Sequence, residues 1–244
     1  MKVLPEPSLV WRYMLALTQI PRGSNMGDEL WRHIKVRDFL KAEAEKLGCE
    51  TYVDKGENLI VRKAAYPGCE NKPVVCLQCH MDMVVQKDDD VEIDLGKDPL
   101  TPRIVDGKYL MATGTSLGAD DGAGVATAFA ILADKTIKHG PLEVLVTRDE
   151  ETGMYGAAGL EAGILKAQYM INLDSEEENA VCVGCAGGFT FHMKLDTPRA
   201  PLNNEVRKTV ILNNFNGGHS GCDIHLGRAN CIHVAARLLK ALCV

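Results

Sequence analysis

The run Pro73–Cys79 is short, apolar and ends directly on His80–Met81–Asp82. Its length suits a strand, and its near lack of polar alternation predicts one buried on both faces. Two more apolar strands are predicted at Leu142–Thr147 and Tyr169–Leu173, with a Gly-rich helix between them. An Ala-rich helix, Ala123–Ala133, precedes the first of these. Strands alternating with helices in this way predict an α/β fold, a sheet with helices on its faces.

Upstream, Ser8–Ile20 reads as an amphipathic helix with Ser8 as N-cap after Pro7, and Asp28–Leu47 as a second helix stopped by Gly48. Thr51–Asp54 and Asn58–Arg62 read as strands joined by a turn at residues 55–57. Gln86–Arg103 is polar and reads as a loop or hairpin. Around Ala186–Gly187–Gly188 the character changes: Phe189–Leu195 alternates like a half-exposed strand, Val206–Leu212 reads as another, and Arg228–Leu242 as a helix. The expected division is therefore residues 1–186 and residues 187–244.

A net charge of −6 argues against a nucleic-acid partner, because a phosphate backbone calls for a basic face. No apolar run is long enough to span a bilayer, so no membrane partner is expected, and Met1–Gln19 is broken by Pro5, Glu6 and Pro7, unlike a signal peptide. Nine cysteines, an odd number scattered mostly through apolar strands, suit a reducing cytoplasm. Cys76 with Cys79 and Cys182 with Cys185 have C-x-x-C spacing, which a four-thiolate zinc site uses. The first pair falls within a predicted strand, where residues three apart point to opposite faces, so burial in the core is the favoured account.

Four clusters carry chemistry. His80–x–Asp82 ends a strand; residues two apart share a side, so Asp82 can orient the His80 imidazole while its other nitrogen binds a metal. Gly118–Ala119–Asp120–Asp121–Gly122 opens a helix, and with no Gly-Lys-Ser/Thr it is not a phosphate loop of the Walker type. Asp149–Glu150–Glu151–Thr152–Gly153 follows the strand at 142–147, and Asp174 follows the strand at 169–173. Singly, each has a plain structural account: a satisfied histidine, carboxylates on a helix dipole, a solvated turn, a cap. Together they offer mixed nitrogen and oxygen ligation at successive element ends, with a spare carboxylate to act as base, which points to metal-assisted hydrolysis.

These motifs, together with Ile20–Pro21–Arg22–Gly23–Ser24, Gly217–Gly218–His219–Ser220–Gly221 and the segment Ile224–Asn230, resemble those of the co-catalytic zinc exopeptidases, and among them the dipeptidases of Xaa-His type. The resemblance spans nearly the whole chain. It implies a zinc-exopeptidase-type mixed sheet sandwiched by helices, plus the start of a smaller α+β lid and dimerisation domain, through which relatives form homodimers. It also implies two Zn2+ ions, with Co2+ or Mn2+ as substitutes, and a small peptide as substrate. His80 and Asp174 would bind one ion, Glu151 the other, and Asp120 both. Asp82 would orient His80, and Glu150 would be the general base. His219 would stabilise the oxyanion, and Arg228 and Asn230 would hold substrate. A cis peptide between Asp120 and Asp121 is implied as well.

In that family a fifth ligand, a histidine, comes from a later segment. His33, His139, His192, His225 and His233 lack its setting, so the expectation is a chain truncated before it. Two other readings stand beside the dipeptidase: a tripeptidase or deacylase of the same family, and a catalytically inert fragment.

Overall fold

The structure is a computed structural model that describes residues 4–24, 31–175, 179–185, 187, 191–199, 201, 208–218 and 223–242. The chain divides into two compact units, Met1–Cys185 and Ala186–Val244. Along the first run α1 (Ser8–Leu17), α2 (Trp31–Lys46), β1 (Glu50–Val53), β2 (Leu59–Lys63), β3 (Val75–His80), β4 (Pro102–Val105), β5 (Tyr109–Ala112), α3 (Ala119–Ala133), β6 (Leu142–Thr147), α4 (Tyr155–Ala158) and β7 (Tyr169–Asn172).

Five strands form a mixed sheet in the order β1-β2-β6-β3-β7. β3 is parallel to both its neighbours, pairing His80 with Thr147 of β6 and Gln78 with Asn172 of β7. β2 runs antiparallel to β6 and to β1. All six residues of β6 are buried, as expected of a strand covered on both sides. One face packs Leu59, Val61, Leu77, Cys79, Val144 and Val146 into the main core with α1, α2 and α3; the Tyr13 and Phe129 rings meet there at 5.7 Å. The other face buries Ile60, Cys76 and Leu145 under Leu160, Ile164 and Leu165. Cys76 and Cys79 thus lie in different cores, and Cys182 and Cys185 are exposed. β7 closes one edge of the sheet, with Tyr169, Met170 and Ile171 exposed.

Several expectations are corrected. The residue preceding α1 is Pro7 rather than Ser8; the Ser8 N–H is capped by the Glu6 carboxylate at 3.0 Å. α1 ends three residues early, where the Thr18 hydroxyl donates back to the Leu15 carbonyl at 2.7 Å. The hairpin β4–β5 starts at Pro102, at the end of the polar stretch 86–103, and continues past it on a turn at Asp106 and Gly107, both with positive φ. In the second unit the described residues 191–199 and 208–218 form no strand; alternation offers a face, but without a partner ladder no strand results. That unit has a 3₁₀ turn, Ile224–Leu226, and α5 (Cys231–Leu242). α5 starts later than Arg228 because Asn230 caps it, its Oδ1 accepting from the Ile232 and His233 N–H groups at 2.9 and 3.1 Å.

The Phe129 side chain is fully buried at the α1–α3 contact. Phe129→Ala is expected to cost about 3–5 kcal/mol, read as a lower urea midpoint at unchanged slope. A cost under about 1 kcal/mol would mean that this helix pair is not the packed core described here.

Candidate metal centre

The three parallel strands β3, β6 and β7 point the same way, so their carboxyl ends share one edge of the sheet, where open α/β sheets bind ligands. β3 ends on His80. β6 runs into the acidic loop that bears Glu150 and Glu151. β7 leads to Asp174, set by Leu173 N–H donating to the Gln78 carbonyl (2.9 Å) and Asp174 N–H donating to Asn172 Oδ1 (3.2 Å). The fourth contributor is the first turn of α3, whose backbone is non-helical at Asp120 and Asp121 and whose Asp120–Asp121 peptide is cis, as the resemblance implies.

Asp82 ties these pieces together. It is buried, and its carboxylate accepts the Ser24 hydroxyl at 2.6 Å, the Glu150 N–H at 3.1 Å and the Glu151 N–H at 3.3 Å. His80 Nδ1 faces the same residue, 3.1 Å from its main-chain oxygen and 3.4 Å from Oδ1. Burial alone would raise the Asp82 pKa; the His80 and Ser24 hydrogen bonds outweigh it and hold the pKa below the usual value.

With acceptors around Nδ1, the proton belongs there and Nε2 turns to the site. Nε2 lies 3.0 Å from Asp120 Oδ1, 3.8 Å from Asp174 Oδ2 and 3.9 Å from Glu150 Oε2. Among the described residues, two overlapping groups have the spacing of metal ligands: His80, Asp121 and Asp174, and His80, Glu150 and Glu151. Asp121 was not among the expected site residues. It is buried, with Oδ2 accepting the His80 N–H at 3.0 Å and Oδ1 the Gly124 N–H at 3.1 Å. Both its oxygens are therefore engaged by the backbone, whereas Asp120 is half exposed beside Nε2.

The site is charged to attract a cation. Burial, followed by the charge of Asp174, pushes the Asp121 carboxyl up to about 7. Burial and the neighbouring Asp120 and Glu150 raise Asp174 to about 6, and burial and Asp120 raise Glu151. For His80, burial works downward, but Asp82, Asp174 and Asp121 lift it to about 9. Carboxylates that repel one another around one imidazole nitrogen fit a divalent ion, which supplies the positive charge and takes mixed nitrogen and oxygen ligands.

Arg22 is also at this site, a role that the motif Ile20–Ser24 does not by itself reveal. It is buried, donating to the Met81 and Asp82 carbonyls at 3.0 and 3.1 Å and to the Gly118 carbonyl. Burial lowers its pKa to about 10 against the pull of Asp82, Asp121 and Asp120. His219 lies outside the described residues. In the second unit, Arg228 is bound to the Gly217 carbonyl and to Asp223 (3.2 Å), and Asn230 caps α5. His33 is buried in α2, and His139 Nδ1 sits 2.7 Å from the Gly140 carbonyl.

Residues 76–225 match the pattern of peptidase family M20/M25/M40, a span that includes every ligand position above. The chain belongs to this family. Among M20 relatives, the cytosol non-specific dipeptidase of Escherichia coli (strain K12) is 42% identical over 236 residues, covering 96% of this chain and 47% of that one. The crystal structure of aminoacylhistidine dipeptidase from Vibrio alginolyticus superposes with a TM-score of 0.70 at 40% identity, covering 96% and 46%. Peptidase T of Escherichia coli (strain SE11) is 30% identical over 167 residues, covering 57% and 40%. The chain thus spans about half the length of these two dipeptidase relatives.

The raised groups set the pH response of the metal-free chain. Asp121 and Asp174 hold protons when folded that the unfolded chain releases near 3.8, so stability falls as pH rises through about 6 and 7. His80 adds stability fully present below 6.5 and lost as pH rises through about 9. In chelator, the melting temperature should therefore fall from pH 4 to pH 9, less steeply in Asp121→Asn, and stabilisation by a divalent ion should grow over that window. An Asp121→Asn chain with the parent's slope would contradict this arrangement.

Proposed function

We propose that this chain hydrolyses dipeptides of Xaa-His type with the help of two divalent ions, best met by zinc. The observation that carries the reading is the convergence of His80, Asp120, Glu150, Glu151 and Asp174 on one edge of the sheet in an M20 chain. His80 and Asp174 would hold one ion, Glu151 the other, and Asp120 both. When bound, such ions lower the pKa of a shared water and polarise the peptide carbonyl.

The remaining chemistry belongs to the chain. Glu150 takes the proton of the attacking water on its carboxylate and returns it to the leaving amine. Its position suits this role: the backbone N–H is fixed to Asp82, while the carboxylate stays partly open at 3.9 Å from His80 Nε2. Asp82 keeps His80 Nε2 turned inward. His219 is assigned to the oxyanion. Asn230 uses its Oδ1 for the α5 cap, which leaves its amide N–H groups for substrate beside Arg228. Residues 1–186 form the catalytic part and residues 187–244 the lid and dimerisation part. The dipeptide preference is supported by two relatives, named as a non-specific dipeptidase and an aminoacylhistidine dipeptidase. The first of these is named as cytosolic, which supports a cytoplasmic location; among the described residues no helix is long and apolar enough to cross a membrane.

The test is Glu150→Gln assayed on β-Ala-His and a panel of other dipeptides, with metal content measured in parallel. The variant should keep its metal and lose about 10²–10⁴-fold in kcat. Full activity in the variant would overturn the base assignment. A metal-loaded parent chain that cleaves no dipeptide would overturn the hydrolase reading while leaving the metal centre in place.

A further inference from the structure

The segment 22–24 supplies none of the proposed metal ligands, yet it is built into the metal centre. Its backbone runs beside the turn after β3: Met83 N–H donates to the Arg22 carbonyl at 3.1 Å, and Ser24 N–H donates to the Met83 carbonyl at 2.9 Å. From this rail the Arg22 side chain turns inward. One arm of its guanidinium holds the Met81 and Asp82 carbonyls and the other holds the Gly118 carbonyl. The first arm grips the turn that carries His80 and Asp82. The second grips the turn that presents Asp120 and Asp121. The fork therefore bridges two loops that meet only through folding.

The surroundings are shaped to the fork. A Cβ at Gly118 or at Gly122 would sit 2.6 Å from Arg22 Nη2, so both glycines keep its place clear. Gly118 also has φ +70°, a conformation that side chains other than glycine's disfavour. Arg22 is 2% exposed, and a cation so placed is tolerated only with close acidic or carbonyl partners. Those partners are the carbonyls of the metal-site turns and the carboxylates of Asp82, Asp121 and Asp120.

We propose that Arg22 is a positioning residue for the metal centre, its guanidinium fork fixing the distance between the His80–Asp82 turn and the Asp120–Asp121 turn. The proposal rests on the reading that these residues bind a divalent ion. Lysine keeps the charge but offers one compact ammonium in place of a planar fork, so it cannot hold both turns in the same way. Charge neutralisation alone would be rescued by lysine; positioning would not.

The experiment is a titration of the metal-free 244-residue chain with Co2+, followed by calorimetry and by the visible absorption of the bound ion. The parent is compared with Arg22→Lys, and near-UV circular dichroism in chelator reports the fold of each. Arg22→Lys should keep the parent's chelated spectrum, bind Co2+ about 10- to 100-fold more weakly and show an altered Co2+ absorption band. Unchanged affinity and an unchanged band would overturn the proposal, even if the chelated variant melts at a lower temperature, because that pattern marks a purely structural residue. Should Arg22→Lys fail to fold, Gly122→Ala displaces the fork while keeping the guanidinium, with the same expected weakening and the same overturning result. A parent chain that binds no Co2+ would defeat the metal reading itself and this proposal with it, an outcome visible before any variant is compared.

Discussion

The site depends on one buried carboxylate. Asp82 gathers the Ser24 hydroxyl and the N–H groups of Glu150 and Glu151, and it faces His80 Nδ1. A charge removed from water persists only when its lone pairs are occupied, and here each occupant is a piece of the site. The acidic loop after β6 is thus registered against the histidine at the end of β3. The same residue fixes which imidazole nitrogen is left for a metal. Removing it would leave the Ser24 hydroxyl and the Glu150 and Glu151 N–H groups without their acceptor, and His80 without its carboxylate neighbour, so its cost would spread over the whole centre.

Sheet topology supplies the second constraint. Because β3 is flanked by two parallel strands, three chain segments deliver their loops to one edge. A central strand reversed in direction would send His80 to the opposite end from Asp174. The antiparallel β1–β2 pair extends the sheet without adding to the site, while its outer turn steadies the acidic loop: Asn58 Nδ2 donates to the Gly156 carbonyl at 2.8 Å and Arg148 Nε to the Gly56 carbonyl at 2.9 Å. The proposed ligands are therefore held by backbone contacts from several directions, as a site that must resist mutual repulsion of its carboxylates requires.

What could be read from the sequence follows physical rules. β6 occupies the expected Leu142–Thr147 because an apolar run between polar turns has only one way to be buried. The clusters at His80, Glu150 and Asp174 stood out because each follows such a run, and Asp120–Asp121 because it opens a helix. The stretch 86–103 reads as a loop or hairpin; the hairpin β4–β5 shares Pro102 and Arg103 with it and continues past it, and Asp106–Gly107 between Val105 and Tyr109 is the turn signal that marks its place. The roles of Arg22 and Asp121 were not legible for a different reason. Their partners are main-chain carbonyls and N–H groups from elsewhere in the chain, and such contacts leave no mark in residue identity. In the second unit, alternation at residues 191–195 was insufficient, since a strand exists only with its ladder.

The central claim is that a divalent ion is held by the histidine and carboxylates at the strand ends, not by the cysteines. X-ray absorption at the zinc edge of the zinc-loaded chain tests it directly. The account predicts a shell of nitrogen and oxygen neighbours alone at about 2.0–2.2 Å, with the outer scattering of a bound imidazole. A sulfur shell at about 2.3 Å would contradict it and move the ion to the cysteine pairs.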